Sequence, residues 1–260
     1  MNCLPSRNPH RTVHLLLILL WAGLILGGLI AGPINESQTQ KIPIPICVSC
    51  TFLLAVCAAV WWDYLRGRLR GMAMLLCVGM SFGFLGDLTM ARWLVFHPLD
   101  PIILGMIWFG LGHIFYIAAW RRVAGILRLG NWRAWVFGVA LMVLVGVACW
   151  YFLVQAPKAG DLRNYGALGY CVLLSGMAGC ALALALQQPR FWLSFLGAAL
   201  LITSDVLLGS YVFRGNKWFL VDTGVWFLFN LGQVLIVFSP GYLLEGIRRG
   251  KLPVTEPQEV

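Results

Sequence analysis

The chain has 260 residues, of which 60% are hydrophobic and 11% charged, with a mean hydropathy of +0.82. A water-soluble domain carries about 25% charged residues, so the polar side chains here are too few to cover a soluble surface, and lipid must be the solvent for most of the chain. The formal charge of +9 does not point to nucleic acid, because the basic residues sit in short loops between apolar runs rather than in a polar stretch interleaved with aromatics.

In lipid a backbone must satisfy its own hydrogen bonds, so each apolar run of about twenty residues reads as a helix. In chain order the expected spans are 13–31, 42–62, 71–91, 101–120, 133–154, 165–186, 192–213 and 221–243. The first follows Arg7 and Arg11. It is nearer a full span than a signal-peptide apolar core and lacks a small-residue cleavage site, so it reads as a retained helix. Pro and Gly mark the connections, as at Gly32-Pro33, His97-Pro98, Asp100-Pro101, Ala156-Pro157 and Gln188-Pro189. The expectation is one all-α membrane domain over residues 1–260, an eight-helix bundle. Its loops divide 13 basic residues on one side from 6 on the other, alternating through all eight spans. The positive-inside rule then places both termini in the cytoplasm of a multi-pass protein, in the inner or plasma membrane if the source is bacterial.

Of the eight cysteines, all but Cys3 lie in or beside apolar runs, where Cys behaves as a small hydrophobe. Cys47 and Cys50 form a CxxC, but no second CxxC or histidine pair completes a metal site. No metal, cofactor or disulfide framework is expected, and the oligomeric state is open.

Few polar groups remain inside the spans. They are Ser81 and Asp87 in the third, His113 and Tyr116 in the fourth, Ser204 and Asp205 in the seventh, and Asn230 and Gln233 in the eighth. A carboxylate within a membrane costs several kcal/mol and normally faces the bundle interior with a role. Asp87 and Asp205 are expected in the outer half, with His113 and Gln233 near the midplane, so that four helices line one cavity. His113 and Tyr116 share a helix face at i, i+3. Arg92 and Lys41, close to span ends, are candidates for meeting a lipid phosphate. Ser204 could equally bond back to its own helix. Gly86-Asp87 and Ser204-Asp205, each followed by a helix with a mid-membrane polar residue, hint at an internal duplication.

Several pieces occur in an order that resembles the YhhN family of membrane proteins, which includes lysoplasmalogenase. They are Lys41-Ile42-Pro43, Ser81-(x4)-Gly86-Asp87, Gly110-Leu111-Gly112-His113-Ile114-Phe115-Tyr116, Tyr170-(x6)-Met177, Leu196-Gly197-Ala198 with Ser204-Asp205, and the Gln233 segment. The chain departs from the family in having Ile42 between Lys41 and Pro43, and Phe229-Asn230 where aromatic hydroxyls are common before the glutamine. The resemblance implies an integral membrane hydrolase that cleaves the vinyl ether bond of lysoplasmalogens, yielding a fatty aldehyde and glycerophosphoethanolamine or glycerophosphocholine. The implied partners are a lysophospholipid substrate and membrane lipid.

The residues suit such chemistry. Protonation of the vinyl β-carbon gives an oxocarbenium ion, which water captures before the hemiacetal collapses. Two carboxyls in different surroundings can divide the acid and anion roles, as in glycosidases. Asp87, Asp205 and His113 are the expected catalytic set. Ser204, Tyr116, Gln233, Asn230, Ser81, Lys41 and Arg92 are in support. Two rivals use the same residues. One is a proton-coupled small-molecule or lipid transporter; the other is a metal-dependent hydrolase with Asp87, His113 and Asp205 as ligands. A structural or binding protein is a third class.

Overall fold

The computed structural model describes residues 9–35, 42–155, 162–216 and 221–248. Their regular structure is helical throughout: α1 (Pro9–Asn35), α2 (Ile44–Tyr64), α3 (Gly67–Met90), α4 (Pro101–Leu127), α5 (Trp132–Cys149), α6 (Leu162–Gln187), α7 (Trp192–Arg214), α8 (Val221–Val237) and α9 (Ser239–Arg248). Eight helical segments among the described residues are long and apolar enough to cross a membrane, as the apolar runs predict. The eighth, Thr223–Ile247, combines α8 with α9. The helix breaks at Phe238, ahead of Pro240, because a proline disfavours the α conformation of the residue before it and cannot donate its own backbone bond.

Local signals set several helix ends. Asp100 caps α4 by accepting from the Ile102 amide at 2.8 Å, with Pro101 at the first helical position. Asn131 caps α5 through the Arg133 amide at 3.1 Å. Gly215 ends α7 in the left-handed region at φ 70°, where glycine has no Cβ to clash. After Cys149, α5 widens into a π-turn, Trp150–Val154. Arg214 holds that turn, donating to the Tyr151 carbonyl at 3.1 Å and the Gln155 carbonyl at 2.9 Å, so the displaced carbonyls have a partner.

Helices α2, α3, α4, α6, α7 and α8 close a ring, each packed on the next, and α8 returns to α2. The spans of α1 and α5 lie outside the ring and are the least buried of the eight. Without a hydrophobic drive between helices in lipid, close backbone approach at small residues does the packing. Three hairpins cross on glycine pairs: Gly79 with Gly112 in α3/α4, Gly138 with Gly179 in α5/α6, and Gly197 with Gly232 in α7/α8. At the first crossing, a Cβ on Gly112 would lie 2.8 Å from the Gly79 carbonyl oxygen, too close for any side chain.

The crossings sharpen the hint of duplication. Asp87 follows Gly79 by eight positions, and Asp205 follows Gly197 by eight; His113 directly follows Gly112, and Gln233 directly follows Gly232. Thus α3/α4 and α7/α8 are hairpins of one plan, each crossing on glycines with its aspartate two turns beyond. The two hairpins occupy opposite arcs of the ring, separated by α6 on one side and α2 on the other.

Candidate functional site

The ring interior gathers most of the buried polar groups of the spans. Asp205 in α7 accepts the Tyr170 hydroxyl of α6 at 2.5 Å. The Tyr170 oxygen in turn lies 3.1 Å from His113 Nε2 of α4. Since the phenolic hydrogen points to the carboxylate, the phenol oxygen accepts at this second contact, which places the His113 hydrogen on Nε2. The other ring nitrogen, Nδ1, is buried without a protein partner. Three helices are therefore joined by one hydrogen-bonded chain, Asp205–Tyr170–His113. The tyrosine at its centre is the functional residue that reasoning from the sequence passed over. It appeared only in a motif match, although a phenol a third of the way into a glycine-rich span is itself an anomaly.

A second chain lies beside the first. Tyr116, one turn from His113, donates to Gln233 Oε1 of α8 at 2.9 Å and is buried with it. The Tyr116 ring also fills the space over Gly79, where a Cβ would meet its Cε1 at 2.6 Å. Gln233 faces Gly83 of α3, so the missing side chain there leaves room for the amide.

Asp87 lies across the ring from Asp205, and the two carboxyls are near enough to sense each other's charge. Asp87 shares a hydrogen bond with the Thr51 hydroxyl of α2, and that hydroxyl also reaches the Val48 carbonyl at 3.1 Å. One hydroxyl hydrogen cannot serve both acceptors at once. The partnership of Asp87 with Thr51 is thus weaker in donors than that of Asp205 with Tyr170.

The structure does not bring the remaining sequence candidates to this centre. Ser204 is fully buried, but its hydroxyl donates to the Val225 carbonyl at 2.9 Å and ties α7 to α8. Asn230 donates to the Trp226 carbonyl of its own helix at 3.0 Å. Ser81 is exposed and bonds back to Cys77 at 2.9 Å. Arg92 stands past the end of α3 in an exposed turn with a left-handed backbone, φ 60°. Lys41 lies outside the described residues. Among the described residues no three His, Cys, Asp or Glu side chains converge as a metal-ligand group, so Asp87, His113 and Asp205 do not form one.

A cavity with about 750 Å³ of empty space, its open mouth included, runs down to Asp205. Ile102, Gly105, Met106 and Phe109 of α4 form one wall, and Ala167, Tyr170, Cys171 and Leu174 of α6 a second. Ile202, Asp205, Val206, Gly209 and Phe213 of α7 form a third; Met90 and the π-turn residues Trp150 and Val154 close it. Each wall repeats at three or four residues, the stripe that one helix face presents. The sites along it that carry polar side-chain atoms are Asp205, Tyr170 and Cys171, together with the Trp150 indole N–H, which is already donated to the Asn164 carbonyl at 3.3 Å. The result is an apolar slot of ligand-binding size with a carboxyl at its inner end.

A model of the YhhN family matches residues 44–240. No curated protein and no solved structure matches the chain.

Proposed function

The chain belongs to the YhhN family, and from that membership and the geometry of the ring we propose that it is a membrane hydrolase cleaving the vinyl ether bond of lysoplasmalogens. The observation that carries this reading is the apolar slot ending at Asp205, with Tyr170 and His113 lined up behind the carboxyl. A single fatty chain fits an apolar slot, and a carboxyl at its end meets the first carbons of that chain.

In this mechanism the protonated Asp205 carboxyl transfers its proton to the β-carbon of the vinyl ether. The C=C electron pair forms the new C–H bond, and the α-carbon and ether oxygen share the resulting positive charge. The Tyr170 hydroxyl then stabilises the carboxylate left behind, as a short charge-assisted hydrogen bond does, and His113 holds Tyr170 on target. Asp87 is the second carboxyl, whose charge stabilises the nearby cation. Water adds to the α-carbon and yields a proton to Asp205. That proton is then passed to the ether oxygen as the hemiacetal collapses to aldehyde and alcohol. No cofactor is consumed, and proton release and uptake balance over the cycle.

The test is purified protein in lipid nanodiscs with a 1-alkenyl lysophospholipid, assayed for aldehyde, with an ester-linked lysolipid alongside. Wild type should release aldehyde, and Asp205→Asn should lose at least about a hundredfold in kcat, within the range of a positioned acid. The reading is wrong if wild type forms no aldehyde, or if Asp87→Asn and Asp205→Asn both turn over like wild type.

The matched α3/α4 and α7/α8 hairpins favour one rival, because parallel repeats around a central polar site are also a transporter plan. Proton-coupled uptake by proteoliposomes without product formation would select it. By the distribution of basic loops, the mouth of the slot faces the outer leaflet.

A further inference from the structure

Four residues of α6, Arg163, Ala167, Tyr170 and Leu174, follow one another at intervals of four, three and four and so lie on one helix face. The last three line the slot, which puts Arg163 at its rim, one turn above Ala167. Across the mouth, Asp100 caps α4 through Ile102, the outermost α4 residue of the wall. The Arg163 guanidinium and the Asp100 carboxylate form an ion pair there, their side chains 46% and 23% exposed. An exposed pair contributes little to stability and exchanges partners readily.

We propose that this pair is a headgroup site for a zwitterionic lysolipid, the Arg163 guanidinium taking the phosphate and the Asp100 carboxylate the ammonium of ethanolamine or choline. The inference rests on the hydrolase reading for which bond is placed at Asp205. The distances agree. Tyr170 lies seven residues below Arg163, a rise of roughly 10 Å along α6. In a 1-alkenyl lysophospholipid seven bonds separate the phosphorus from the carbon that takes the proton, roughly 8 Å at the advance of about 1.2 Å per bond of an extended chain. The arginine stem and the fork of the guanidinium cover the difference, and that planar fork matches phosphate oxygens. A zwitterion satisfies both charges of the opened pair. A headgroup with phosphate alone leaves Asp100 facing a second anion, so the pair selects against it.

The experiment is equilibrium binding of a non-cleavable 1-alkyl lysophosphoethanolamine to the full-length protein in nanodiscs, with 1-alkyl glycerol phosphate as the comparison lipid. Wild type should prefer the zwitterion. Arg163→Met should weaken its binding about tenfold, and Arg163→Lys should recover most of that loss. Asp100→Asn keeps the oxygen that caps α4, and it should abolish the preference for the zwitterion. Melting temperatures of the variants report folding separately. The headgroup site is overturned if Arg163→Met binds like wild type, or if Asp100→Asn keeps the preference. The outcomes separate it from the hydrolase reading. Arg163-dependent binding without aldehyde from any vinyl ether lipid removes the hydrolase and keeps the site; normal turnover with indifferent Arg163 and Asp100 variants does the reverse.

Discussion

Removing one oxygen tests the centre of the ring. Tyr170→Phe keeps the aromatic wall of the slot and deletes the hydroxyl shared by Asp205 and His113. A hydrogen bond to a charged group contributes about 1.5–3 kcal/mol. At about 1.4 kcal/mol per tenfold, losing that stabilisation of the carboxylate in the transition state predicts a drop in kcat of roughly 10- to 150-fold. KM should move little, because the hydroxyl sits at the slot's end and the apolar walls that take the chain are unchanged. His113 Nε2 also loses its partner, and a buried unpaired donor costs about 1–3 kcal/mol, so the melting temperature should fall as well. The two effects separate in the variant Tyr116→Phe. It breaks the Tyr116–Gln233 bond and leaves the Asp205 carboxyl untouched, so it should lower stability with a much smaller change in kcat. The assays are aldehyde release under saturating lysoplasmalogen and thermal unfolding in matched nanodiscs. If Tyr170→Phe retains wild-type kcat while melting lower, the hydroxyl is only a structural tie and its assignment to catalysis fails.

Other outcomes follow from the same geometry. Ser204→Ala removes the tie to the Val225 carbonyl and should cost about 0.5–1.5 kcal/mol of stability at unchanged kcat, checked by melting and turnover together. Gly112→Val would drive a side chain into the Gly79 carbonyl, and overpacking of this kind costs about 1–3 kcal/mol or more; it should lower the yield of folded protein on size exclusion. Gly125→Ala, on the same helix with nothing within 4 Å of the new methyl, should be neutral or stabilising by up to about 1 kcal/mol, which makes it the matched control. Turnover should survive exhaustive treatment with EDTA, since no described ligand group converges in the ring; loss of activity restored by a divalent metal would refute the carboxyl-only mechanism.

The spans were legible in the sequence because lipid imposes a single rule on every backbone group, and length with apolarity is enough to apply it. Their number and order came through for that reason, while their ends moved. The apolar run of the fourth span stops near residue 120, yet α4 continues to Leu127 through Arg121 and Arg122. Hydropathy marks the edge of the lipid; the helix continues past it because charged ends do not stop its hydrogen bonding. The eighth span breaks where Pro240 interrupts it, a signal that hydropathy averages away.

Of the candidate site, the sequence by itself determined that Asp87, Asp205 and His113 are anomalies in an apolar solvent, and hence where chemistry should be sought. It could not say what they touch. The Asp205–Tyr170 and His113–Tyr170 contacts join residues 35 and 57 positions apart, and Tyr116 meets Gln233 across 117. Those pairings depend on how each helix is rotated about its axis and which neighbour it meets. Both are set by glycine crossings that no single helix encodes. Ser204 and Asp205 show the division most plainly. Adjacent in the chain and equally polar, they point about 100° apart on α7; tertiary structure turned one to the carbonyl of α8 and the other to the slot.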